Sequence, residues 1–235
     1  MDNDTILQNT ALKYLNADAL SHIDMLETVR RGNADILYAG EDGVILTEST
    51  DGTCMISLTD IEKCKAYVQP EQYDVYSVHQ KAVADWLKSR RVFQREMEVF
   101  QAAYFRKDKF FVEGIENIRL LSAEHIDPAN ALYGKNNREY LAWLIERRQL
   151  WGYFYADTMA GFAGFHADGS MGLLNIAPQY RRHGIGAALE AFVINHALDL
   201  RHIPYCQVIT DNAASLALQK KMGLEVSSVT SFWLF

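Results

Sequence analysis

Residues 175–189 read Asn-Ile-Ala-Pro-Gln-Tyr-Arg-Arg-His-Gly-Ile-Gly-Ala-Ala-Leu. The pattern predicts a strand, a sharp turn and then a long helix that begins after Gly184. Gly184 and Gly186 allow a ligand to approach the backbone closely, because neither residue carries a Cβ atom. The first N–H groups of a helix have no partner within the helix, and together with the helix dipole they attract anions. Since Arg181 and Arg182 add positive charge, we interpret this junction as a site for a phosphate or diphosphate.

Two other phosphate-binding motifs fit this junction less well. A dinucleotide-binding fingerprint needs a third glycine at the position of Leu189 and an acidic residue about 20 positions further on. Residues 204–209 contain no acidic residue. A P-loop needs Gly-Lys-Ser/Thr, which the junction lacks. A tight turn with exposed arginines and no ligand stays open as the other interpretation.

The composition is typical of a globular chain. It has 235 residues, of which 49% are hydrophobic and 23% are charged, and its net charge is −7. The acidic balance argues against nucleic acid or an anionic membrane as the main partner, because either would need a basic surface. The acidic start does not resemble a signal peptide, and no apolar run approaches the ~20 residues that cross a bilayer. Cys54, Cys64 and Cys206 lack metal-ligand spacing and favour a reducing compartment, so we expect a cytoplasmic protein without a metal.

The chain is expected to divide into two α/β halves near the charged segment 106–109. In the first half, residues 1–112, short apolar runs separated by Asp-Gly turns indicate antiparallel strands. Helix-like segments precede these strands at 6–15 and 23–31. Residues 92–112 fit helical and strand periods only in part, so their structure stays open. This half shows no obvious functional site.

The second half, residues 113–235, has the predicted order β-α-α-β-β-β-α-β-α-β. Ser122 is the expected N-cap of its first helix, and Asn136 or Asn137 that of its second. The predicted strands are 118–121, 150–156, 159–166, 171–176, 205–210 and 232–235, and the later helices follow Gly184 and cover 213–222.

This order and two motifs resemble the GNAT superfamily of acyl-CoA-dependent N-acyltransferases. The family pattern Arg/Gln-x-x-Gly-x-Gly/Ala is met by Arg181, Gly184 and Gly186. The segment 211–224, with Asp-Asn-Ala-Ala-Ser followed by Lys-Met-Gly-Leu, resembles the family's Asn-x-x-Ser/Ala and Lys-x-Gly-Phe segment. The resemblance covers 116–235 and implies an α/β (α+β) fold, with a mixed, mostly antiparallel twisted sheet flanked by helices. The first half only loosely suggests a degenerate half of the same kind.

The resemblance also implies where acetyl-CoA would bind. The N–H groups of the turn would hold the diphosphate, and the strand ending near Ile176 would pair with the pantetheine where it parts from the strand at 205–210. The N–H of Leu174 would polarise the thioester carbonyl and stabilise its oxyanion. Asn212 would bind the pantetheine or only cap the last helix. The implied binding residues are Leu174, Ile176, Arg181, Arg182, His183, Gly184, Ile185, Gly186, Ala187 and Asn212.

The family's usual catalytic acid and base are missing from their expected positions. Gln219 stands where many members have a Tyr that protonates the leaving thiolate, and the place of a Glu base is near Ser170. We expect His166 to act as the base through water, since a pKa near 6.5 suits that role, and to face Met171 across a hairpin. Ser215 is the candidate for assisting the thiolate. A hydrogen-bonding hairpin histidine and a helix-surface hydroxyl are the alternative roles.

Two other reactive residues are expected to have structural roles. Cys206 lies on a strand that should be buried, so we do not expect a covalent cysteine intermediate. His196 lies on the apolar side of the long helix and is expected to pack in the core.

Three functions remain open at this stage. We favour an N-acetyltransferase that moves acetyl from acetyl-CoA to a primary amine of a small molecule, by direct attack in a ternary complex that gains mostly from positioning. A non-catalytic acyl-CoA-binding or regulatory protein is the alternative, because the usual Tyr and Glu are missing. The third is a nucleotide-binding regulator that uses the same loop for another phosphate. The acceptor amine and the oligomeric state are left open.

Overall fold

A computed structural model of the chain describes residues 3–134 and 137–235. The α-helices, numbered in chain order, are α1 (Asn3–Ala17), α2 (Ile23–Arg30), α3 (Ile61–Tyr67), α4 (Lys81–Arg90), α5 (Ile126–Tyr133), α6 (Arg138–Glu146), α7 (Ile185–Asp199) and α8 (Ala213–Lys221). The strands are β1 (Ala34–Gly40), β2 (Gly43–Glu48), β3 (Cys54–Leu58), β4 (Tyr76–Val78), β5 (Glu96–Ala103), β6 (Ile118–Leu120), β7 (Leu150–Tyr155), β8 (Thr158–Phe165), β9 (Met171–Ile176), β10 (Tyr205–Ile209) and β11 (Glu225–Leu234).

The described residues form two compact units. The first comprises the chain up to Ala103, together with Gln207–Lys220 and Leu224–Phe235. The second comprises Tyr104–Cys206 and Lys221–Gly223. The chain therefore leaves the first unit after β5, and its last segments belong to that unit again. The predicted contiguous domains, 1–112 and 113–235, stay a prediction.

The first unit is built on a seven-stranded sheet in the order β1-β2-β3-β4-β11-β5-β10. The turns that end in Gly43 and Gly52 join antiparallel strands, as their Asp-Gly sequences predict. Residues 92–112, for which the sequence did not distinguish helix from strand, contain strand β5. Strand β11 begins at Glu225, so the predicted start at residue 232 was wrong. Its polar first half lacks the apolar alternation of a strand, yet Ser227 is buried and its hydroxyl accepts the N–H of Gln101 in β5.

The second unit contains a four-stranded antiparallel sheet in the order β6-β7-β8-β9. Helices α5 and α6 cover one face, where Phe154 and Phe162 pack in the core. Helix α7 contacts β7, β8 and β9, and rings of Phe192 and His196 pack on Trp151. The neighbour Leu150 lies in the core with α6, and successive strand residues point to opposite faces, so α7 covers the other face.

Two predicted caps differ in outcome. Ser122 holds the N-cap position of the short 3-10 turn Ala123–His125 that leads into α5, and its backbone N–H donates to Nδ1 of His125. Helix α6 begins at Arg138 and Asn137 holds its N-cap position, but the Asn137 side chain makes no capping hydrogen bond. The alternative, Asn136, lies outside the described residues. The predicted mixed fold, with mostly antiparallel sheets flanked by helices, is confirmed. Within the described part of the chain, no helix is both long enough and apolar enough to cross a membrane.

Candidate active site

The turn between β9 and α7 exposes a ring of backbone N–H groups. Gly184 is the N-cap of α7 and has φ +82°, a left-handed conformation that glycine adopts without strain. At this end of the helix the Ala188 N–H donates to the Gly184 carbonyl over 3.0 Å. By helix geometry, the N–H groups from Gly184 to Ala187 have no partner within the helix. Arg182 also has a left-handed φ, +66°, which places a second bend in the same loop.

The surroundings of this turn leave room for a ligand. Arg181, Arg182, His183 and Gly184 are all exposed. A Cβ atom added at Gly184 would meet no atom within 4 Å, and one added at Gly186 would meet only side chains of Leu174 and Ile176 at 3.9 Å. The Arg181 side chain donates from Nε to the Ile176 carbonyl over 3.1 Å, which holds it across the turn. The loop therefore combines free backbone donors, positive charge and open space, which suits a phosphate group.

A β-bulge interrupts β9 at the predicted catalytic position. Strand β8 pairs Phe162 with Asn175 and Gly164 with Gly172, so Leu173 and Leu174 together oppose the single residue between them. Leu173 has φ +58°, and its carbonyl accepts a hydrogen bond from the Asn175 side chain over 3.0 Å. A bulge leaves one residue out of the ladder and re-aims its peptide groups. Sequence reasoning placed the carbonyl-polarising N–H at Leu174 but did not foresee the bulge.

Strand β9 is an edge strand of its sheet. In the described ranges it pairs with β8 alone, whereas β10 lies in the sheet of the first unit as the neighbour of β5. Beyond the bulge, residues 174–176 are half-buried. An edge strand presents unpaired N–H and C=O groups that an extended ligand can use. This is the arrangement expected for a strand that binds a pantetheine arm.

His166 follows β8, but its predicted partner was wrong. Met171 faces Phe165, and the His166 N–H instead donates to the Ser170 carbonyl over 2.8 Å. The turn is tighter than expected because the Asp168 carboxylate accepts both the N–H and the hydroxyl of Ser170.

The His166 imidazole is half-buried. Nδ1 lies 2.9 Å from the Tyr140 hydroxyl. A Cβ atom at Gly172 would lie 2.6 Å from Nε2, so the imidazole packs against this glycine of β9. Sequence reasoning missed both neighbours, although a glycine inside a strand signals the close approach of another group.

The remaining predicted residues lie at the start of α8, in the first unit. Asn212 Oδ1 accepts the N–H of Ser215 over 3.1 Å, so the Asn212 side chain caps this helix. Ser215 is half-buried at the first turn. Gln219 is buried, and its side-chain oxygen has no hydrogen-bond partner among the described residues. An unsatisfied buried acceptor costs about 1–3 kcal/mol, which a ligand donor would offset. The binding role of Asn212 and the catalytic role of Ser215 stay predictions.

The first unit has a comparable strand–turn–helix junction that is closed. Strands β3 and β4 are parallel and paired through Ile56↔Val78, and the His79 N–H continues the ladder to the Ile56 carbonyl over 2.9 Å. The helix that follows β3, α3, has Asp60 as its N-cap, and the Asp60 carboxylate accepts the N–H groups of Glu62 and Lys63. The protein's own carboxylate therefore occupies the donors that an anion would need.

The surroundings of Cys206 and His196 agree with the structural roles expected for them. Cys206 is buried, and burial raises the pKa of its thiol well above the ordinary value. A thiol with a raised pKa is a poor nucleophile. His196 packs among Trp151, Phe165 and Phe192, and burial lowers its pKa. In residues 3–134 and 137–235, no group of three His, Cys, Asp or Glu side chains could hold a metal ion.

Comparisons with known proteins agree with this geometry. Residues 113–224 match the Acetyltransferase (GNAT) family. The solved structure of a Drosophila protein superposes with a TM-score of 0.67 at 14% identity, covering 99% of this chain and 96% of that one. An acetyltransferase of the GNAT family from Colwellia psychrerythraea gives 0.54 at 14% identity, covering 100% and 97% of the two chains. A GCN5-related N-acetyltransferase from Kribbella flavida gives 0.55 at 13% identity, covering 92% and 94%.

At these identities the solved structures show the fold alone. Comparison with curated protein sequences found no match. The predicted resemblance to the superfamily is confirmed by the family match, and the fold class by the structural likeness. The chain therefore carries an acyltransferase domain of the acetyltransferase (GNAT) family at residues 113–224, within a GNAT-like fold that extends over nearly the whole chain.

Proposed function

We propose that the protein is an N-acetyltransferase that moves acetyl from acetyl-CoA to a primary amine of a small molecule. The observation that carries the proposal is the junction of an edge strand with a helix N-terminus whose N–H groups point away from the helix. The bulge at Leu173 lies three residues before the end of β9 at Ile176 and eleven residues before Gly184. One continuous stretch of chain thus offers donors for a carbonyl, a pantetheine and a diphosphate in the order in which acetyl-CoA contains them.

The turn would bind the diphosphate. Its N–H groups from Gly184 to Ala187 and the guanidinium of Arg182 supply charge-assisted hydrogen bonds, which are about twice as strong as neutral ones. The exposed backbone of Leu174 and Ile176 would pair with the pantetheine amides, and the Leu174 N–H would polarise the thioester carbonyl. These contacts position the thioester for attack by the amine nitrogen.

The proton balance of the transfer assigns a role to His166. The amine nitrogen forms a bond to the carbonyl carbon, the carbon–sulfur bond breaks, and the electron pair leaves with sulfur. The amine must lose a proton, which we assign to His166 through water, and the thiolate takes a proton from water or Ser215. In this proposal Gln219 is not an acid, because a neutral carboxamide cannot donate a full proton.

Binding is tested by calorimetric titration of acetyl-CoA. Arg182→Ala should weaken binding by about tenfold or more, because it removes a charged donor worth about 1.5–3 kcal/mol. The matched control is Arg201→Ala: this arginine is also exposed but follows the far end of α7, 19 residues after Arg182. Equal affinities for both variants and the wild type would contradict the assigned loop.

Catalysis is tested by free-thiol release from acetyl-CoA in the presence of a library of amines. The three cysteines of the chain are buried, so a thiol reagent reports released coenzyme A over a low background. Thiol release that depends on one amine supports the transferase. Tight binding of acetyl-CoA without release would instead support the non-catalytic acyl-CoA-binding protein, and displacement by ATP the nucleotide-binding regulator. A cytoplasmic location is also part of the proposal, supported by the three unpaired thiols.

A further inference from the structure

The peptide unit that joins Leu173 to Leu174 is held at its carbonyl end. The half-buried Asn175 donates from Nδ2 to the Leu173 carbonyl over 3.0 Å. Because a carbonyl oxygen can only accept a hydrogen bond, the NH₂ end of the Asn175 carboxamide must face it. Leu173 has φ +58°, a conformation that leucine adopts only under strain, so the contacts around the bulge must hold it there.

The register of β9 places the N–H end of this peptide unit at the open edge of the sheet. The Ala177 N–H donates to the Ala160 carbonyl over 2.9 Å, so the backbone of Ala177 faces β8. Residues that bond to the neighbouring strand alternate in an antiparallel ladder, so Asn175 also faces β8, opposite Phe162, whereas the N–H of Leu174 faces away. Among the described residues, no further strand of this sheet lies on that side.

The two ends of a peptide unit cannot turn separately. The unit is planar and trans, so its C=O and its N–H point in opposite directions. A donor that holds the Leu173 carbonyl therefore also aims the Leu174 N–H, toward the edge that would pair with the pantetheine. A hydrogen bond on the carbonyl also polarises the amide, which makes its N–H a stronger donor.

We propose that Asn175 is a positioning residue, whose carboxamide fixes this peptide unit so that the Leu174 N–H meets the thioester carbonyl and its oxyanion. The inference rests on the proposed function, in which that N–H stabilises the charge that develops on the carbonyl oxygen. Asn175 itself does not touch the substrate in this role and acts only through the peptide unit. The family motifs at 181–186 and 211–224 do not include this residue.

Leucine labelling isolates the peptide unit in the protein without ligand. The sequence contains two Leu-Leu pairs, at 120–121 and 173–174, so protein labelled with [1-¹³C,¹⁵N]leucine gives two cross-peaks in a carbonyl-to-amide correlation NMR spectrum. The Leu173 carbonyl carbon lies two residues before position 175, so it reports the lost hydrogen bond rather than the new neighbour. It should move upfield in Asn175→Ala and in Asn175→Asp, a variant of similar shape that cannot donate. The 120–121 cross-peak should stay in place, and an unmoved Leu173 carbonyl would overturn the inference.

Infrared spectroscopy of bound acetyl-CoA reports the Leu174 N–H directly. A hydrogen bond weakens the C=O bond, so acetyl-CoA with a ¹³C-labelled acetyl carbonyl should show its band at lower frequency when bound, without amine, than when free. In both Asn175 variants the bound band should return toward the free value. The affinity for coenzyme A, which has no thioester carbonyl, should stay unchanged. A wild-type band at the free frequency, or a lowered band in Asn175→Ala, would overturn the inference.

Kinetics provide a further readout, with the amine identified by thiol release. Both Asn175 variants should lower kcat by about tenfold, a part of the roughly 10²–10³-fold that the loss of one oxyanion donor costs. The KM for acetyl-CoA should change little, because the diphosphate and pantetheine contacts remain. The matched control is Asn117→Ala, at a half-buried asparagine of the same unit whose Nδ2 donates to the Tyr153 hydroxyl over 3.2 Å; it should keep the wild-type kcat. A loss of rate confined to Asn175→Asp would reflect its charge and would contradict the positioning role.

The two proposals fail separately. If the wild type does not bind acetyl-CoA, the proposed function is wrong, while the NMR result still decides whether Asn175 holds the Leu173 carbonyl. If acetyl-CoA is bound and consumed but the thioester band and kcat do not depend on Asn175, the transferase stands and the positioning role is wrong. Thermal melting of each variant shows whether a loss of rate reflects unfolding instead, and the wild-type band tests the inference without any variant.

Discussion

Acidification is expected to destabilise the first unit through His22. Its Nε2 lies 2.9 Å from the Ser57 hydroxyl and its Nδ1 3.1 Å from the Asp18 carbonyl, with the His79 ring at a centroid distance of 5.0 Å. Burial and the neighbouring His79 lower the pKa of His22 from 6.5 to about 4, against the opposing effect of the Asp24 and Asp18 carboxylates. The neutral imidazole fits this network, because Nδ1 can donate to the carbonyl while Nε2 accepts from the hydroxyl.

The magnitude follows from the difference between the two pKa values. The unfolded chain binds a proton at His22 below pH 6.5, whereas the folded chain binds it only near pH 4. The contribution of the neutral His22 side chain to stability is therefore fully present above pH 6.5 and is lost as the pH falls toward 4. At about 1.4 kcal/mol per pH unit, the full loss is about 3.5 kcal/mol, of which about 2.5 kcal/mol is gone by pH 4.5. The pKa values of Asp18 and Asp24 are lowered from 3.8, so their contributions are lost below this window.

The assay compares the wild type with His22→Gln in urea at pH 7.5 and 4.5. Far-UV circular dichroism gives the free energy of unfolding, and hydrogen exchange of β3, which contains Ser57, reports the first unit separately. The fall in stability between the two pH values should be about 2.5 kcal/mol smaller in His22→Gln than in the wild type. His183→Gln, at an exposed histidine, should keep the wild-type fall. An equal fall in His22→Gln, or an NMR titration of His22 near 6.5, would refute the reasoning.

Three further predictions concern the junction between β9 and α7 and the junction between β3 and α3. Gly184→Val should weaken acetyl-CoA binding and lower the free energy of unfolding by about 1–2 kcal/mol, because valine is strained at the φ of +82° that this residue adopts. Calorimetry measures the affinity and urea melts measure the stability. An unchanged affinity would count against binding at this loop. Asp60→Ala should cost about 1 kcal/mol in the same melts, since it removes the cap of α3; a neutral result would contradict the capping role. Calorimetry should find one acetyl-CoA per chain, because β3 and β4 are paired and leave no unpaired strand edge for a second pantetheine at the β3–α3 junction. A stoichiometry of two would show that β3 and β4 can separate.

The local features of the chain could be predicted from its sequence. The Asp51-Gly52 turn, the helix that begins after Gly184 and the strand before it follow from rules that involve only neighbouring residues. The motif at Arg181, Gly184 and Gly186 identified the family for the same reason: an exposed helix N-terminus is specified by the few residues that build it. The polar start of β11 was missed because its pairing depends on Gln101, far away in the chain.

The chemistry of the candidate site depends on longer-range contacts. The bulge at Leu173 is set by the register of β8 against β9, and a leucine gives no local signal for a left-handed φ. The contact between Tyr140 and His166 joins residues 26 positions apart, from a helix and from the end of a strand. Periodicity predicts which elements form but does not say which side chains meet across them.

The sequence by itself thus determined most of the elements, the resemblance to the acetyltransferase (GNAT) family and the exposed turn between β9 and α7, because each is specified by neighbouring residues. Only the tertiary structure decided that β3 and β4 pair while β9 remains an edge strand, and that Tyr140 and Gly172 enclose His166. The physical reason is that strand pairing and side-chain packing are set by which surfaces exclude water together. The pairing of strands and the packing of side chains therefore depend on the whole folded chain and not on any one segment.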